Sequence, residues 1–304
     1  MNKKIWLYWS KTGDSEHGNF GDELGPYIIS RLGANEIRYL PFPRSGLYLF
    51  LGVVRAVLNR RKPVQDLINT VLFLCSGADY VMSAGSIIGW GRGSRRLVWG
   101  SGVISGADII PPAKFFAVRG KETYHLLTKQ GYDAPDVFGD PALLLPLVYH
   151  PSVEKRYRVG IILHYAHEGV VNIDELPNDV LIIDLMDDIE RVISKILSCE
   201  RIISTSLHGI IVSNAYGIAA LWAHVPELPL SGDSIKFKDY FSSVGVVYYE
   251  PVSMRELKFE ALDSIFLEHE GQVTIQMDLS ELQDGLLRVA PFDVNRCFYN
   301  KAIG

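Results

Sequence analysis

The segment "ERIISTSLHGIIVSNAYG" (residues 200–217) most clearly combines residue types that could do chemistry. An apolar strand ends in Ser204 and Ser206, and a helix then opens at His208 and Gly209. The N–H groups at a helix N-terminus favour a bound anion, and a histidine in the first turn can donate a proton. We therefore predict that His208 is a catalytic residue and that its neighbours Ser204, Ser206 and Gly209 bind the substrate. The alternative is a structural histidine.

An arginine stands at a second strand end. In "FFAVRGKET", Arg119 closes an apolar strand and a helix begins near Lys121. A guanidinium group there can make a two-pronged contact with a carboxylate or a phosphate, and the helix N-terminus adds partial positive charge. We predict Arg119 as a substrate-binding residue. The alternative is a surface arginine at the edge of a sheet.

A third strand end is rich in glycine and arginine. In "SAGSIIGWGRGSRR", Gly85 directly follows an apolar strand, and Arg92, Arg95 and Arg96 come soon after. Glycine lets a ligand approach the backbone closely, and exposed N–H groups can hold an anion. Arg92 is therefore predicted to contact an anionic substrate, against the alternative of tight turns with solvated arginines.

The stretch "HGNFGDELGPYI" (residues 17–28) joins the first predicted strand to the first predicted helix. It contains Asn19, Asp22 and Glu23 beside Gly18 and Gly21, which predicts either ordinary loop chemistry or a ligand site. Asp22 can cap the helix that Pro26 helps to start.

Two further positions have alternative roles. His164 ends a predicted strand in "GIILHYAHEG", and His167 and Glu168 follow, all of them types of metal ligand. Because their spacing is loose, we expect no metal and assign His164 to the substrate contacts. Asp140 precedes Pro141 in "VFGDPALLLP" and is either an N-cap or a residue of the cleft.

Composition excludes several classes of function. The chain has 304 residues, 48% of them hydrophobic and 21% charged, as in ordinary globular proteins of two domains. A formal net charge of −5 gives no reason to expect a nucleic-acid partner. The cysteines Cys75, Cys199 and Cys297 form no CxxC motif, which favours a reducing compartment such as the cytoplasm. A P-loop is absent, and the matches to GxGxxG are too loose to predict a dinucleotide.

Short apolar strands alternate with helical stretches along the chain, a pattern typical of parallel sheets flanked by helices. The polar segment "VYHPSVEKRYR" interrupts this alternation. We predict an N-terminal Rossmann-like domain at 1–150, a second at 157–290 and a tail at 291–304 that packs back on the first. The predicted fold class is α/β, with two doubly wound domains facing a cleft where ligands bind beyond the strand ends.

Residues 41–63, "PFPRSGLYLFLGVVRAVLNRRKP", are apolar and aromatic and carry five basic residues with no acid. This composition fits either a helix on an anionic membrane surface or a buried helix with a basic end. No run of the sequence is long and apolar enough to predict a transmembrane helix.

Several of these motifs together resemble one family, the bacterial polysaccharide pyruvyl transferases. "HGNFGDELGPYI", "FFAVRG", "VFGDPALLLP", "VGIILHY" and "ISTSLHGIIVSNAYGI" follow in the family's order between Ile5 and Ala223, and the exopolysaccharide branch is the most similar. The resemblance implies transfer of the pyruvyl group of phosphoenolpyruvate to two hydroxyls of a sugar, with a ketal formed and phosphate released. It also implies a fold similar to GT-B glycosyltransferases, phosphoenolpyruvate as donor substrate with no further cofactor, and a lipid-linked saccharide acceptor at the inner face of the cytoplasmic membrane.

The resemblance assigns roles to the candidate residues. His208 becomes the general acid or the partner of the phosphate, and Arg119 the clamp on the carboxylate. Asn19, Asp22 and Glu23 then face the acceptor saccharide, because acids suit sugar hydroxyls better than an anion, and Asp22 is the predicted catalytic base.

Many family members carry an arginine where this chain has Ser206. Arg119, Lys236 or the cluster from Arg92 to Arg96 could supply the missing cation.

Two rival functions stay open. A GT-B glycosyltransferase would bind a nucleotide-sugar, with Glu227 as the only candidate to hold its ribose. The other rival is a sugar-binding relative without activity. It stays open because this chain has Ser206 where many family members have an arginine.

Overall fold

The structure is a computed structural model that describes residues 4–11, 18–33, 35–41, 63–91, 93–172 and 176–301. The segment 41–63, for which the sequence leaves a membrane-surface helix and a buried helix open, lies almost wholly outside these ranges, and so does Arg92.

The first half of the chain builds a parallel sheet from residues 4–117. Its elements are β1 (Lys4–Tyr8), α1 (Phe20–Gly33), β2 (Glu36–Tyr39), α2 (Pro63–Ser76), β3 (Tyr80–Met82), β4 (Arg96–Trp99), β5 (Lys114–Ala117) and α3 (Lys121–Lys129). The strand order is β2-β1-β3-β4-β5, with every neighbouring pair parallel.

The second half builds a similar sheet. A 3-10 helix (Pro141–Leu144) and α4 (Leu145–Val148) lead into β6 (Tyr157–Ile162), a 3-10 turn (Tyr165–His167), β7 (Val180–Ile183), α5 (Ile189–Leu197), β8 (Cys199–Ser204), α6 (Leu207–Ala215), β9 (Ala219–His224), α7 (Ile235–Ser243) and β10 (Val252–Ser253). The strand order is β10-β9-β8-β6-β7, again parallel throughout. A 3-10 turn (Phe259–Ala261), α8 (Leu262–Glu268), α9 (Leu279–Arg288) and α10 (Cys297–Lys301) follow.

Both sheets have the same topology, which confirms the predicted α/β class. Numbered within its own half, each sheet reads 2-1-3-4-5, the doubly wound order in which the connections reverse between strands 1 and 3. Ligands of such sheets bind outside the carboxyl ends of the strands at this reversal. The rule selects the ends of β1 and β3 in the first sheet and of β6 and β8 in the second.

The helix α5 illustrates why the sequence forms these elements. The Asp188 side chain accepts hydrogen bonds from the N–H groups of Glu190 and Arg191 and so caps the helix. The buried residues of α5 recur at helical spacing and face the sheet; they are Val192, Ile193 and Ile196.

Two helices differ from the sequence prediction. The helix α7 is not predicted, because it starts after Ser234 in a left-handed conformation (φ 61°) without a side-chain cap. The sequence also predicts one helix over "MRELKFEALDSIFLEHEG" (residues 254–271), but the α-helix begins only at Leu262. The first residues of that segment are held elsewhere, since the N–H of Met254 donates to the carbonyl of His224 at 2.9 Å, alongside β9.

The two sheets are joined through α1 and the C-terminal helices. The N–H of Phe20 donates to the carbonyl of Leu185 at 2.8 Å, so the start of α1 contacts the second sheet. The indole of Trp99 donates to the carbonyl of Leu286 at 2.9 Å, and the N–H of Asn295 donates to the carbonyl of Leu32 at 2.8 Å. Leu286 and Asn295 therefore contact the first half of the chain. Among the described helices, none is long and apolar enough to cross a membrane.

Candidate active site between the two sheets

The turn from β8 into α6 fixes the position of His208. The hydroxyl of Ser204 donates to the carbonyl of Ser206 at 2.8 Å and accepts from the N–H of Ser206 at 3.0 Å. A Cβ at Gly209 would lie 2.3 Å from the Ser204 hydroxyl, so only glycine lets the helix come this close. Ser204 and Gly209 thus hold the turn, and substrate contact by Ser204, Ser206 and Gly209 stays a prediction.

His208 faces Asp140 across the two halves of the chain. Nε2 of His208 lies 3.7 Å from Oδ2 of Asp140, and the Asp140 side chain is fully buried. Neither atom has a hydrogen-bond partner within the described residues. Leaving a buried polar atom unpaired costs about 1–3 kcal/mol, so the pair is a candidate for contact with a ligand.

Asp140 combines both roles that the sequence left open for it. Its Oδ1 accepts from the N–H of Ala142 at 2.9 Å and caps the short 3-10 helix. That bond fixes the carboxylate and leaves Oδ2 directed at His208. Asp140 is therefore an N-cap and a residue of the cleft at once.

Two glycines of α1 bring both halves of the chain to one helix face. A Cβ at Gly21 would lie 2.2 Å from Nδ1 of His208, and a Cβ at Gly25 would lie 3.5 Å from Cβ of Ser83. The glycines are four residues apart and so share a face of the helix. Ser83 follows β3, and its buried hydroxyl also has no hydrogen-bond partner within the described part of the chain. Sequence reasoning missed Ser83, although its place after a predicted strand was the available signal.

The acidic start of α1 differs in detail from the prediction. The helix begins at Phe20, and Asn19 caps it, because its Oδ1 accepts from the N–H of Gly21 at 3.0 Å. The predicted cap Asp22 lies inside the first turn, half-buried. Glu23 accepts from the indole of Trp9 at 3.0 Å, and burial raises the pKa of the Glu23 carboxyl.

Arg119 lies deep between the halves of the chain. Its fully buried guanidinium donates from Nε to Asp239 at 2.9 Å, from Nη1 to Ser86 at 2.6 Å and from Nη2 to the carbonyl of Val103 at 2.7 Å. Thr123 also donates to Asp239, through N–H at 2.8 Å and hydroxyl at 2.7 Å. These bonds tie α3 to α7, and clamping of a substrate by Arg119 stays a prediction.

Arg95 and Arg96 of the glycine-rich stretch lie within the described residues, and the Arg95 guanidinium lies over the ring of Phe73. Arg96 begins β4, at the amino end of the sheet, and is fully buried. It donates to the carbonyls of Pro111 and Ile88. Of the cations proposed to replace the arginine expected at Ser206, Arg96 is therefore committed to the protein.

A histidine pair stands where β6 ends. The N–H of His164 donates to the hydroxyl of Thr205 at 2.9 Å, and Nε2 of His167 is 2.7 Å from the carbonyl of Leu228. Because a carbonyl only accepts, Nε2 of His167 carries the proton. Burial, the charge of Lys236 and that of His167 lower the pKa of His164 to about 4. No metal-holding group of His, Cys, Asp or Glu occurs within the described residues.

A cavity of about 150 Å³ opens beside this histidine pair, at the ends of β8 and β9. Its lining includes Thr205, Trp222, Ser231, Ser234 and Lys236. Sequence reasoning did not predict the cavity, whose wall comes from the loop "PELPLSGDS". Glu227, the candidate for a ribose contact, forms an ion pair with Arg255 at 2.9 Å instead.

Two parallel sheets of one topology define a two-domain α/β protein, and unpaired polar atoms lie between the carboxyl ends of its strands. The sequence model of the polysaccharide pyruvyl transferase family matches residues 19–222, and the chain belongs to that family. This match confirms the predicted resemblance at the level of the family. The matched region contains Gly21, Asp140 and His208, while Lys236 lies beyond its end.

A viral protein is also similar to this chain. Uncharacterized protein L143 of Acanthamoeba polyphaga mimivirus is 34% identical over 160 residues, which cover 50% of this chain and 56% of that protein. The chain thus spans about half the length of the curated relative it matches.

Proposed function

We propose that this protein transfers the pyruvyl group of phosphoenolpyruvate to a saccharide, forming a pyruvate ketal and releasing phosphate. Membership of the polysaccharide pyruvyl transferase family supports pyruvyl transfer to a polysaccharide. One observation carries the assignment of residues: Nε2 of His208 and Oδ2 of Asp140 lie 3.7 Å apart, buried and without partners among the described residues.

The reaction needs an acid and a base. Protonation of C3 of phosphoenolpyruvate gives C2 the character of a cation, and a sugar hydroxyl attacks C2. The bond from C2 to the phosphate oxygen breaks, and a second hydroxyl closes the ketal. Of the two hydroxyl protons, one replaces the proton delivered to C3 and the other leaves with phosphate. A positioned acid or base contributes about 10²–10⁴-fold to such steps.

His208 is the proposed general acid or phosphate partner. At a separation of 3.7 Å, one substrate oxygen can lie within hydrogen-bond distance of both His208 and Asp140. The Asp140 carboxylate then stabilises the positive charge of a protonated His208 and accepts a proton from a hydroxyl. Gly21 permits this arrangement because it lies directly against the imidazole ring.

The acceptor saccharide is proposed to bind on the α1 side of the crevice, where Asn19, Asp22 and Glu23 lie. Asp22 stays a proposed base, since it is next to Gly21 and therefore close to His208. The GT-B likeness, the lipid link of the acceptor and action at the inner face of the membrane are parts of the same proposal.

A coupled assay of phosphate release tests the proposal, with phosphoenolpyruvate as donor and a panel of saccharides as acceptors. His208→Gln should abolish acceptor-dependent release, whereas His125→Gln, at an exposed position of α3, should keep the wild-type rate. Transfer of a sugar from a nucleotide-sugar instead, with release of the nucleotide, would establish the glycosyltransferase. No turnover with either donor, even in a single-turnover experiment, would favour a sugar-binding relative without activity.

A further inference from the structure

The cavity at the end of β9 contains a cation without a matching anion. Lys236 lines it, half-buried in the first turn of α7. No carboxylate forms an ion pair with Lys236 among the residues that the structure describes. A charge removed from water without a partner is unfavourable, so this lysine would be stabilised by an anion supplied from outside.

The neighbouring charges do not offset that of Lys236. Arg119 lies close enough for its charge to act on Lys236, but Asp239 neutralises Arg119 through an ion pair of 2.9 Å. His164 is uncharged at neutral pH, because burial and the charge of Lys236 lower its pKa to about 4. The local sum is therefore one uncompensated positive charge.

Asp233 and Asp239, the two acids nearest in sequence to Lys236, both have other partners; that of Asp239 is Arg119. The Asp233 carboxylate accepts from the N–H of Gly106 at 2.9 Å and from the hydroxyl of Ser105 at 3.3 Å, both in the first half of the chain. A Cβ at Gly232 would lie 2.2 Å from the carbonyl of Ile104. The loop that walls the cavity is thus held against the first half, and its carboxylate accepts from donors other than Lys236.

The lining of the cavity suits a small anion. Ser231 and Ser234 supply hydroxyls that have no hydrogen-bond partner within the described ranges, and none of the described lining residues is acidic. Trp222 and Phe237 stack at 4.2 Å between ring centroids and give the cavity a rigid apolar side. A volume of about 150 Å³ limits the occupant to a small molecule or to one end of a larger one.

We propose that this cavity binds a small carboxylate- or phosphate-bearing molecule, with Lys236 as the cation and Ser231 and Ser234 as hydrogen-bond donors. The site is proposed for binding alone and stands without the proposed reaction. If that reaction holds, phosphoenolpyruvate is the first candidate ligand, because it carries both kinds of anionic group.

Titration calorimetry of the full chain with phosphoenolpyruvate, pyruvate and inorganic phosphate tests the site. Lys236→Met keeps the length and apolar stem of the side chain and should weaken binding at least tenfold. Lys238→Met is the matched control, since Lys238 lies two residues on, is about half exposed and pairs with Glu122 at 3.2 Å. It should leave affinity unchanged, and neither variant should unfold below the wild-type temperature.

The outcomes separate this site from the proposed function. Binding of phosphoenolpyruvate that depends on Lys236, without turnover on any acceptor, supports the site and counts against the reaction. A preference for inorganic phosphate or pyruvate identifies which anionic group is recognised. Equal affinity of wild type and Lys236→Met, or no binding of any of the three anions at millimolar concentration, overturns the proposal.

Discussion

Nε2 of His208 lies 3.7 Å from Oδ2 of Asp140, and neither atom has a hydrogen-bond partner within the described residues. Asp140 follows the first sheet and His208 follows β8 of the second. The pair therefore exists only while the two halves are docked. Unpaired buried atoms are a cost to stability, and a substrate that bonds to both would offset it.

Asp140→Asn separates the charge of Asp140 from its capping role. Asparagine caps a helix about as well as aspartate, so the free energy of unfolding should change little. The lost charge should slow acceptor-dependent phosphate release by roughly 10²-fold or more. The matched control is Asp136→Asn, at an exposed position nearby. A near-wild-type rate for folded Asp140→Asn would refute the role of the pair.

The two glycines of α1 offer a test within a single helix. Gly21→Ala would place Cβ 2.2 Å from Nδ1 of His208, whereas Gly25→Ala would place it at an ordinary 3.5 Å from Ser83. Alanine favours a helix over glycine by up to about 1 kcal/mol. We expect Gly25→Ala to be neutral or stabilising in denaturant unfolding, and Gly21→Ala to lose both stability and activity. Equal behaviour of the two variants would contradict the contact between α1 and His208.

The buried ion pair of Arg119 and Asp239 should matter for stability. Removing one partner of such a pair costs about 3–5 kcal/mol, because a buried charge is left without compensation. Asp239→Ala should therefore strongly lower the denaturant midpoint. Asp263→Ala breaks an exposed pair with Arg201 and should have little effect. If both substitutions lower the denaturant midpoint equally little, α3 and α7 are not joined through this pair.

Anion binding at Lys236 should depend on pH. Burial and the nearby charge of Arg119 lower the pKa of Lys236 to about 8. An anion binds the protonated lysine, so affinity should be full well below pH 8 and decline as the pH rises through that value. The other charged or titratable groups facing Lys236 are Arg119 and the histidines His164, His167 and His224. Calorimetry between pH 7 and pH 9.5 should show this decline in wild type. The weak binding that remains in Lys236→Met should not depend on pH.

Much of the fold follows from local sequence. Each apolar run read as a strand forms one, because a strand buried on both faces is apolar throughout. The position of His208 follows from the same pattern, since a serine-rich strand end before a helix marks the carboxyl edge of a parallel sheet.

What the sequence leaves open is mostly contact between distant residues. Arg119 ends a strand as predicted, yet its partner Asp239 is 120 residues away. Spacing alone could not distinguish this internal partner from a substrate. Asp140 was ambiguous for the same reason, because only docking of the two halves directs Oδ2 at His208. The helix α7 was missed, since its N-cap Ser234 makes no side-chain capping bond.

The most direct test of the account is a single-turnover reaction with phosphoenolpyruvate and a saccharide acceptor, in which ketal formation is followed by mass spectrometry. The account predicts one pyruvate ketal per phosphate released by wild type and by His125→Gln. It predicts neither product with His208→Gln or Asp140→Asn. Ketal formation at the wild-type rate by these two folded variants would contradict the central claim.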